Sequence, residues 1–385
     1  MGFARPPESR VRGPGSKGRF DIADIVRQHC KALEARYHVN RQQRRVLTAI
    51  GQCRTAALGG HVEVCEHGDF ERIAYNSCRN RHCPKCQALA QERWIAARCE
   101  RLLDLGHVHG VFTLPSELRP LALWHPAEVY GAMFRAVTDT LLELGRTRLG
   151  VTLGLTLILH TWTRKLGFHV HLHVLVTAGG LALNGSGFVH TRHGYLFPLE
   201  MIGVVFRAKM LHELGLLREN GDFPELTDGA YGALMAPLAN KTWIVYAKKP
   251  FRRSTQVVEY LGRYTHRVGI ANSRLQAVTD ETITFATKHG QTTSLHPVEF
   301  LRRLVQHVLP PGFHKIRHAG LYASARPGGL LEKARAFVGA YRRTKKAKAR
   351  LEQLERAHRT CPVCGGELRR MPLSPACRAP PTATP

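Results

Sequence analysis

Acidic residues are scarce in this chain: 29 Asp and Glu stand against 56 Lys and Arg, leaving a formal charge of +27. The imbalance favours a polyanionic partner, with nucleic acid the first choice. A membrane surface is the competing polyanion. However, there is no apolar run long enough to span a bilayer and no basic amphipathic anchor, which argues against a membrane. Residues 1–20 are basic and rich in Gly and Pro, without the apolar core of a signal peptide. They predict a disordered arm on a cytoplasmic protein. Internal repeats and a strand–helix–strand rhythm are also missing, and helices alternate with antiparallel-looking strands, which predicts an α+β fold.

What is present begins with bulk: 385 residues, 44% of them hydrophobic, suffice for two or three domains with a sizeable core. Ten cysteines in a cytosolic chain suggest metal sites before disulfides. Cys65, Cys78, Cys83 and Cys86 cluster in a stretch poor in aliphatics, where metal would have to replace a core. Cys361 and Cys364 form a second CxxC, while Cys30, Cys53 and Cys99 read as ordinary buried thiols.

Periodicity and composition divide the chain into a basic arm (1–20), a helical and cysteine-rich domain (21–104) and a mixed strand-and-helix domain (105–290). A helical part (291–340) and a basic tail with a CxxC knuckle (341–385) follow. Gly179 to Gly187 lacks the lysine of a phosphate loop, and Asn184-Gly185 within it reads as a hairpin turn.

The run Phe168-His-Val-His-Leu-His-Val-Leu-Val176 alternates polar and apolar residues strictly. As a β-strand it places His169, His171 and His173 on one face. Same-face neighbours lie roughly 6.6 Å apart, so His171 and His173 can share one metal ion, whereas His169 and His173 are about twice as far apart. The plainer alternative is a half-buried strand whose histidines make hydrogen bonds.

A second element reads Val257-Val-Glu-Tyr260-Leu-Gly-Arg-Tyr264-Thr-His-Arg267. On a helix over about 255–266, Tyr260 and Tyr264 fall one turn apart on one face. They are either core tyrosines or hydroxyls set among phosphate-binding donors: Lys248, Lys249, Arg252, Arg253, Arg263 and Arg267. A tyrosine hydroxyl titrates near pH 10 and attacks poorly until its proton is removed or its target is polarised. A divalent metal on the histidine strand would polarise a scissile phosphate.

Five ordered motifs then carry a resemblance that runs from about residue 25 to about residue 325. They are Tyr75-Asn-Ser-Cys-Arg-Asn-Arg-His-Cys-Pro-Lys-Cys-Gln87, Phe112-Thr-Leu-Pro115, Leu159-His-Thr-Trp162, His171-Leu-His173 and Tyr260-Leu-Gly-Arg-Tyr-Thr-His-Arg267. The chain resembles the two-tyrosine rolling-circle transposases of the insertion-sequence-ninety-one family, whose HUH motif is His, a bulky hydrophobic residue, His. The resemblance implies a central antiparallel sheet, His171 and His173 as ligands of Mg2+ or Mn2+, and Tyr260 and Tyr264 as nucleophiles. It further implies nicking and rejoining of single-stranded DNA at insertion-sequence ends through a 5′-phosphotyrosine, a homo-oligomer being compatible with that role. The third metal ligand stays open among His160, His169, Glu259 and His266.

The resemblance also implies a zinc domain over the cysteine cluster. Relatives often carry a second CxxC where this chain reads Cys65-Glu-His67-Gly. The four cysteines Cys65, Cys78, Cys83 and Cys86 are the expected Zn2+ ligands, with His67 and His82 as alternates. The tail pair Cys361 and Cys364 is incomplete: a full site needs His358 and Cys377, or a second molecule. Rival readings are a non-catalytic zinc-finger DNA-binding regulator, a plasmid replication initiator of the same HUH chemistry, and a metal-dependent phosphodiesterase that attacks with water.

Overall fold

Strict alternation along one long strand organises the architecture. The computed structural model describes residues 20–191, 196–251, 262, 269–323, 329–339 and 344–373. Two capped helices come first. Asp21 accepts the Ala23 N–H at the start of α1 (Ile22–Arg36), and Asn40 with Gln43 forms a reciprocal box on α2 (Arg41–Gln52). A hairpin of β1 (Gly60–Cys65) and β2 (Glu71–Tyr75) leads through a cysteine-bearing loop into α3 (Ala88–Arg101).

The central sheet and its covering helices then begin with β3 (His107–Thr113), α4 (Arg119–Trp124), α5 (Pro126–Leu149), β4 (Val151–Trp162), β5 (Phe168–Ala182) and β6 (Phe188–His190). Next come α6 (Leu199–Glu219), α7 (Asp228–Asn240) and the edge strand β7 (Val245–Phe251). A meander of β8 (Leu275–Val278), β9 (Ile283–Ala286) and β10 (Thr292–Leu295) precedes α8 (Pro297–Val305). The last described elements are β11 (Ile316–Gly320), α9 (Leu330–Val338), α10 (Thr344–Ala357) and β12 (Leu368–Pro372).

The central sheet runs β11-β4-β5-β3-β7, with β6 paired to the far end of β5, and every pairing is antiparallel. The fold is therefore α+β, as the sequence predicts. β5 and β6 turn at Asn184-Gly185, the hairpin read from the sequence. On one face of β5, Val170, Leu172, Val174 and Val176 pack with Phe134 and Val137 of α5 and Phe206 and Met210 of α6. Each fully buried aliphatic contributes about 1.5–3 kcal/mol, and a one-residue slip would drive the histidines into this layer, so the register is strongly fixed.

The opposite face carries the histidines. At one end it is covered by α3 and α9, where Ile158 and Leu175 of the sheet meet Ile95, Cys99, Leu331 and Ala334.

The C-terminal region folds back on the N-terminal module. α10, which contains part of the basic run read as a tail, lies against α3 through Arg93–Glu355, Arg350–Glu92 and Lys348–Glu100 ion pairs. β12 then pairs with β1 from His61 to Cys65. None of the helices among the described residues is long and apolar enough to cross a membrane.

Candidate metal centre

β4 and β5 are neighbours, and the register sets His160 directly opposite His171. His160, His171 and His173 thereby offer ligand nitrogens that all lie within 4.8 Å of one another. The ring centroids are 5.3 Å apart for His160 and His171, 4.4 Å for His160 and His173, and 4.9 Å for His171 and His173. Of the third-ligand candidates, His160 is the one that joins the pair. The ring of His169 lies 5.1 Å from that of His171 and outside the trio; its carbonyl accepts the His171 Nδ1–H at 3.0 Å. Glu259 and His266 lie outside the described residues.

The Nδ1 atoms of His171 and His173 are already engaged, which leaves Nε2 of each for a cation. His173 Nδ1 is 2.9 Å from Nε2 of His109, on β3, and the two rings stack. A metal on Nε2 of His173 requires its Nδ1–H to donate, and His109 then accepts; such an outer partner orients a ligand imidazole. Trp162 stacks on His160 at 4.7 Å and 20°. Burial, reinforced by the neighbouring His173 and His171, holds His160 well below its ordinary value, and burial brings His171 down to about 4. At neutral pH these imidazoles are uncharged, the form that binds metal. The donor set fits a divalent cation, and an all-imidazole set favours Mn2+ over the harder Mg2+.

Lys315 borders this centre where β11 begins. Its ammonium is buried, finds no hydrogen-bond acceptor among the described residues, and is pulled down to about 7 by burial.

The cysteines sort differently from the sequence expectation. Cys78, Cys83 and Cys86 meet Cys53, not Cys65, with all four sulfurs within 4.8 Å of one another. The end of α2 puts Cys53 there: the Cys78 N–H points at its Sγ at 3.5 Å. Thiol–thiol hydrogen bonds lower Cys53 and bring Cys86 down to about 7, while the same contacts raise Cys83. Four converging thiols suit a zinc ion, which would take them as thiolates in a tetrahedral site.

His82 is no alternate ligand. It accepts the Leu309 N–H at Nε2 (3.1 Å) and turns Nδ1 to Asn80 Oδ1, also at 3.1 Å. With Arg81 bonded to the carbonyls of Pro310 and Phe313, it docks the cysteine loop beside Lys315. His67 and Cys65 lie together elsewhere, against Cys364.

Tyr260, Tyr264, Arg252, Arg253, Arg263 and Arg267 lie outside the described residues. Between the tyrosines, Gly262 is helical and buried, and a Cβ there would meet Ile95 Cδ1 of α3 at 2.5 Å. Lys248 and Lys249 sit on β7, where Lys248 is in register with His109.

Sequence reasoning missed Cys53, whose nearest partner cysteine in this cluster is far along the chain. It also missed His109, although the His-Val-His alternation of β3 repeats the pattern of β5. For Lys315 no local signal exists.

Comparison with known proteins agrees with this layout. Residues 25–114 match the family described as "Transposase zinc-binding domain", and residues 154–328 match the one described as "Putative transposase". "Putative transposase y4qJ" of Sinorhizobium fredii is 38% identical over 368 residues, covering 89% of this chain and 92% of that protein. "Transposase for insertion sequence element IS801" of Pseudomonas savastanoi pv. phaseolicola is 30% identical over 296 residues, 74% of this chain and 72% of that one. No solved structure matches. An antiparallel sheet bearing a histidine centre, preceded by a zinc-binding module, is here the frame of a transposase. Within that class, the chain belongs to the IS91 family.

Proposed function

We propose that this transposase nicks and rejoins single-stranded DNA at the ends of an insertion sequence, and in its target, through Tyr260 or Tyr264. The observation that carries the reading is the trio of converging imidazoles, His160, His171 and His173, on a sheet face covered at one end by the helix that also meets Gly262. His160, His171 and His173 would hold Mn2+ or Mg2+, which when bound polarises the scissile phosphate. The tyrosine hydroxyl gives up its proton as its oxygen bonds to phosphorus, the P–O3′ bond breaks, and the departing 3′ oxygen takes up a proton. The 5′ phosphate stays on tyrosine as a diester, so a second strand's 3′ hydroxyl can reverse the step. With two tyrosines four residues apart in the sequence, two such transfers can follow in succession, as rolling-circle transposition requires. The basic residues Lys248, Lys249, Arg252, Arg253, Arg263 and Arg267 are assigned to the DNA phosphates. Cys53, Cys78, Cys83 and Cys86 are assigned to Zn2+, anchoring the loop that leads into α3.

The test is incubation of the protein with single-stranded oligonucleotides spanning the element's ends, plus Mn2+, followed by a denaturing gel. A slow-migrating, protease-sensitive adduct is expected from wild type and is lost in the Tyr260→Phe/Tyr264→Phe double variant and in His171→Ala. Binding without any adduct would instead support the regulator reading, and cleavage that survives loss of both tyrosines would support attack by water.

A further inference from the structure

Cys65 and Cys364 are 299 residues apart in the chain, yet their sulfurs are 3.3 Å apart. His67 Nδ1 lies 3.4 Å from the same Cys364 sulfur, and the buried Cys361 thiol neighbours those of Cys65 and Cys364. We propose that Cys65, His67, Cys361 and Cys364 form a second zinc site, separate from the Cys53 cluster, which fastens the C-terminal tail to the N-terminal module.

The local backbone is built for thiolates on both sides. Cys65 opens a turn closed by the Gly68 N–H on its carbonyl at 3.0 Å, and Cys361 opens one closed by Gly365, also at 3.0 Å. Both glycines take positive φ, +78° and +77°, where a side chain would be strained. Each sulfur then faces the N–H two residues on: His67 to Cys65, Val363 to Cys361 and Gly366 to Cys364, all at 3.4 Å. Three N–H groups aimed at three sulfurs stabilise negative charge there, as outer partners of a thiolate site do. The two turns are stitched by Glu66 N–H to the Glu367 carbonyl (3.2 Å) and Glu367 N–H to Glu66 Oε1 (2.9 Å). Beyond them β1 and β12 pair from Cys65–Leu368 to His61–Pro372.

Asp69 is the competing fourth ligand, since its carboxylate reaches within 4.8 Å of Cys65, His67 and Cys364. Cys361 is preferred because it is buried at 3% exposure and its sulfur faces an N–H, whereas Asp69 is exposed. Zinc also favours a three-thiolate, one-imidazole set over a harder carboxylate. The small apolar cluster of Cys65, Cys361, Leu368 and Phe70 is too slight to hold the tail unaided.

The experiment is zinc counting by plasma mass spectrometry on the full chain purified without chelator, combined with alkylation mapping of native cysteines. Two zinc ions per chain are expected. Cys361→Ser/Cys364→Ser should lose one ion and expose the tail beyond residue 358 to protease, while Cys53, Cys78, Cys83 and Cys86 stay protected from alkylation. Asp69→Asn should keep both ions. Wild type with one zinc and freely alkylated Cys65, Cys361 and Cys364 overturns the proposal. Loss of an ion in Asp69→Asn but not in Cys361→Ser overturns the ligand assignment. One zinc with Cys65, Cys361 and Cys364 protected and the Cys53 group alkylated would sink the assignment of that first group while sustaining this one.

Discussion

His109 on β3 and His173 on β5 hold their rings near parallel, with ring centroids 5.1 Å apart and Nε2 to Nδ1 at 2.9 Å. If His173 Nδ1–H donates to His109, the Nε2 of His173 is left free for the proposed cation, so His109 would orient that ring. Replacing His109 by Ala should weaken Mn2+ binding about 10–100-fold, the usual cost of losing an outer partner. Adduct formation should recover at high Mn2+ while DNA affinity stays constant. An unchanged Mn2+ titration would remove His109 from the centre.

The third ligand is tested by contrast. His160→Ala should abolish tight Mn2+ binding, whereas His169→Ala, whose ring stands outside the trio, should leave it nearly intact because the His169 carbonyl still accepts from His171. Isothermal titration of both variants decides, and equal losses would mean that His169 ligates as well.

Gly262 links the tyrosine segment to α3. Gly262→Ala puts a methyl 2.5 Å from Ile95 Cδ1 and should destabilise by about 1–3 kcal/mol, the cost of overpacking. Adding Ile95→Ala should recover much of that loss. Melting temperatures and adduct yields of the single and double variants measure the coupling, and additive losses would contradict direct contact.

Several buried histidines stay neutral in the fold. Burial lowers His107 and His307 to about 4 and His318 to about 3. The unfolded chain therefore binds more protons than the folded one once the pH drops below the ordinary histidine value near 6.5. Stability is fully present above that value and falls as the pH moves down toward 4. Melting temperatures between pH 7.5 and 4.5 should decline progressively below about 6.5, and a flat profile would contradict neutral burial.

The sequence by itself determined the α+β class, the histidine strand and the side of the sheet it serves. Alternation in β5 leaves one register that buries Val170, Leu172, Val174 and Val176 together, so the face of His171 and His173 follows from local pattern. It also located the Cys78–Cys86 loop, because short spacings make their own geometry. Tertiary structure decided everything that depends on pairing between distant segments. His160 becomes a partner of His171 only through strand register, His109 meets His173 only across β3, and Cys53 replaces Cys65 only because α2 ends beside the cysteine loop. Cys65 was drawn instead to a tail nearly the whole chain away, a closure no spacing rule contains. Local periodicity fixes which way a side chain points, but only the burial and hydrogen bonding of the whole chain fix what it points at.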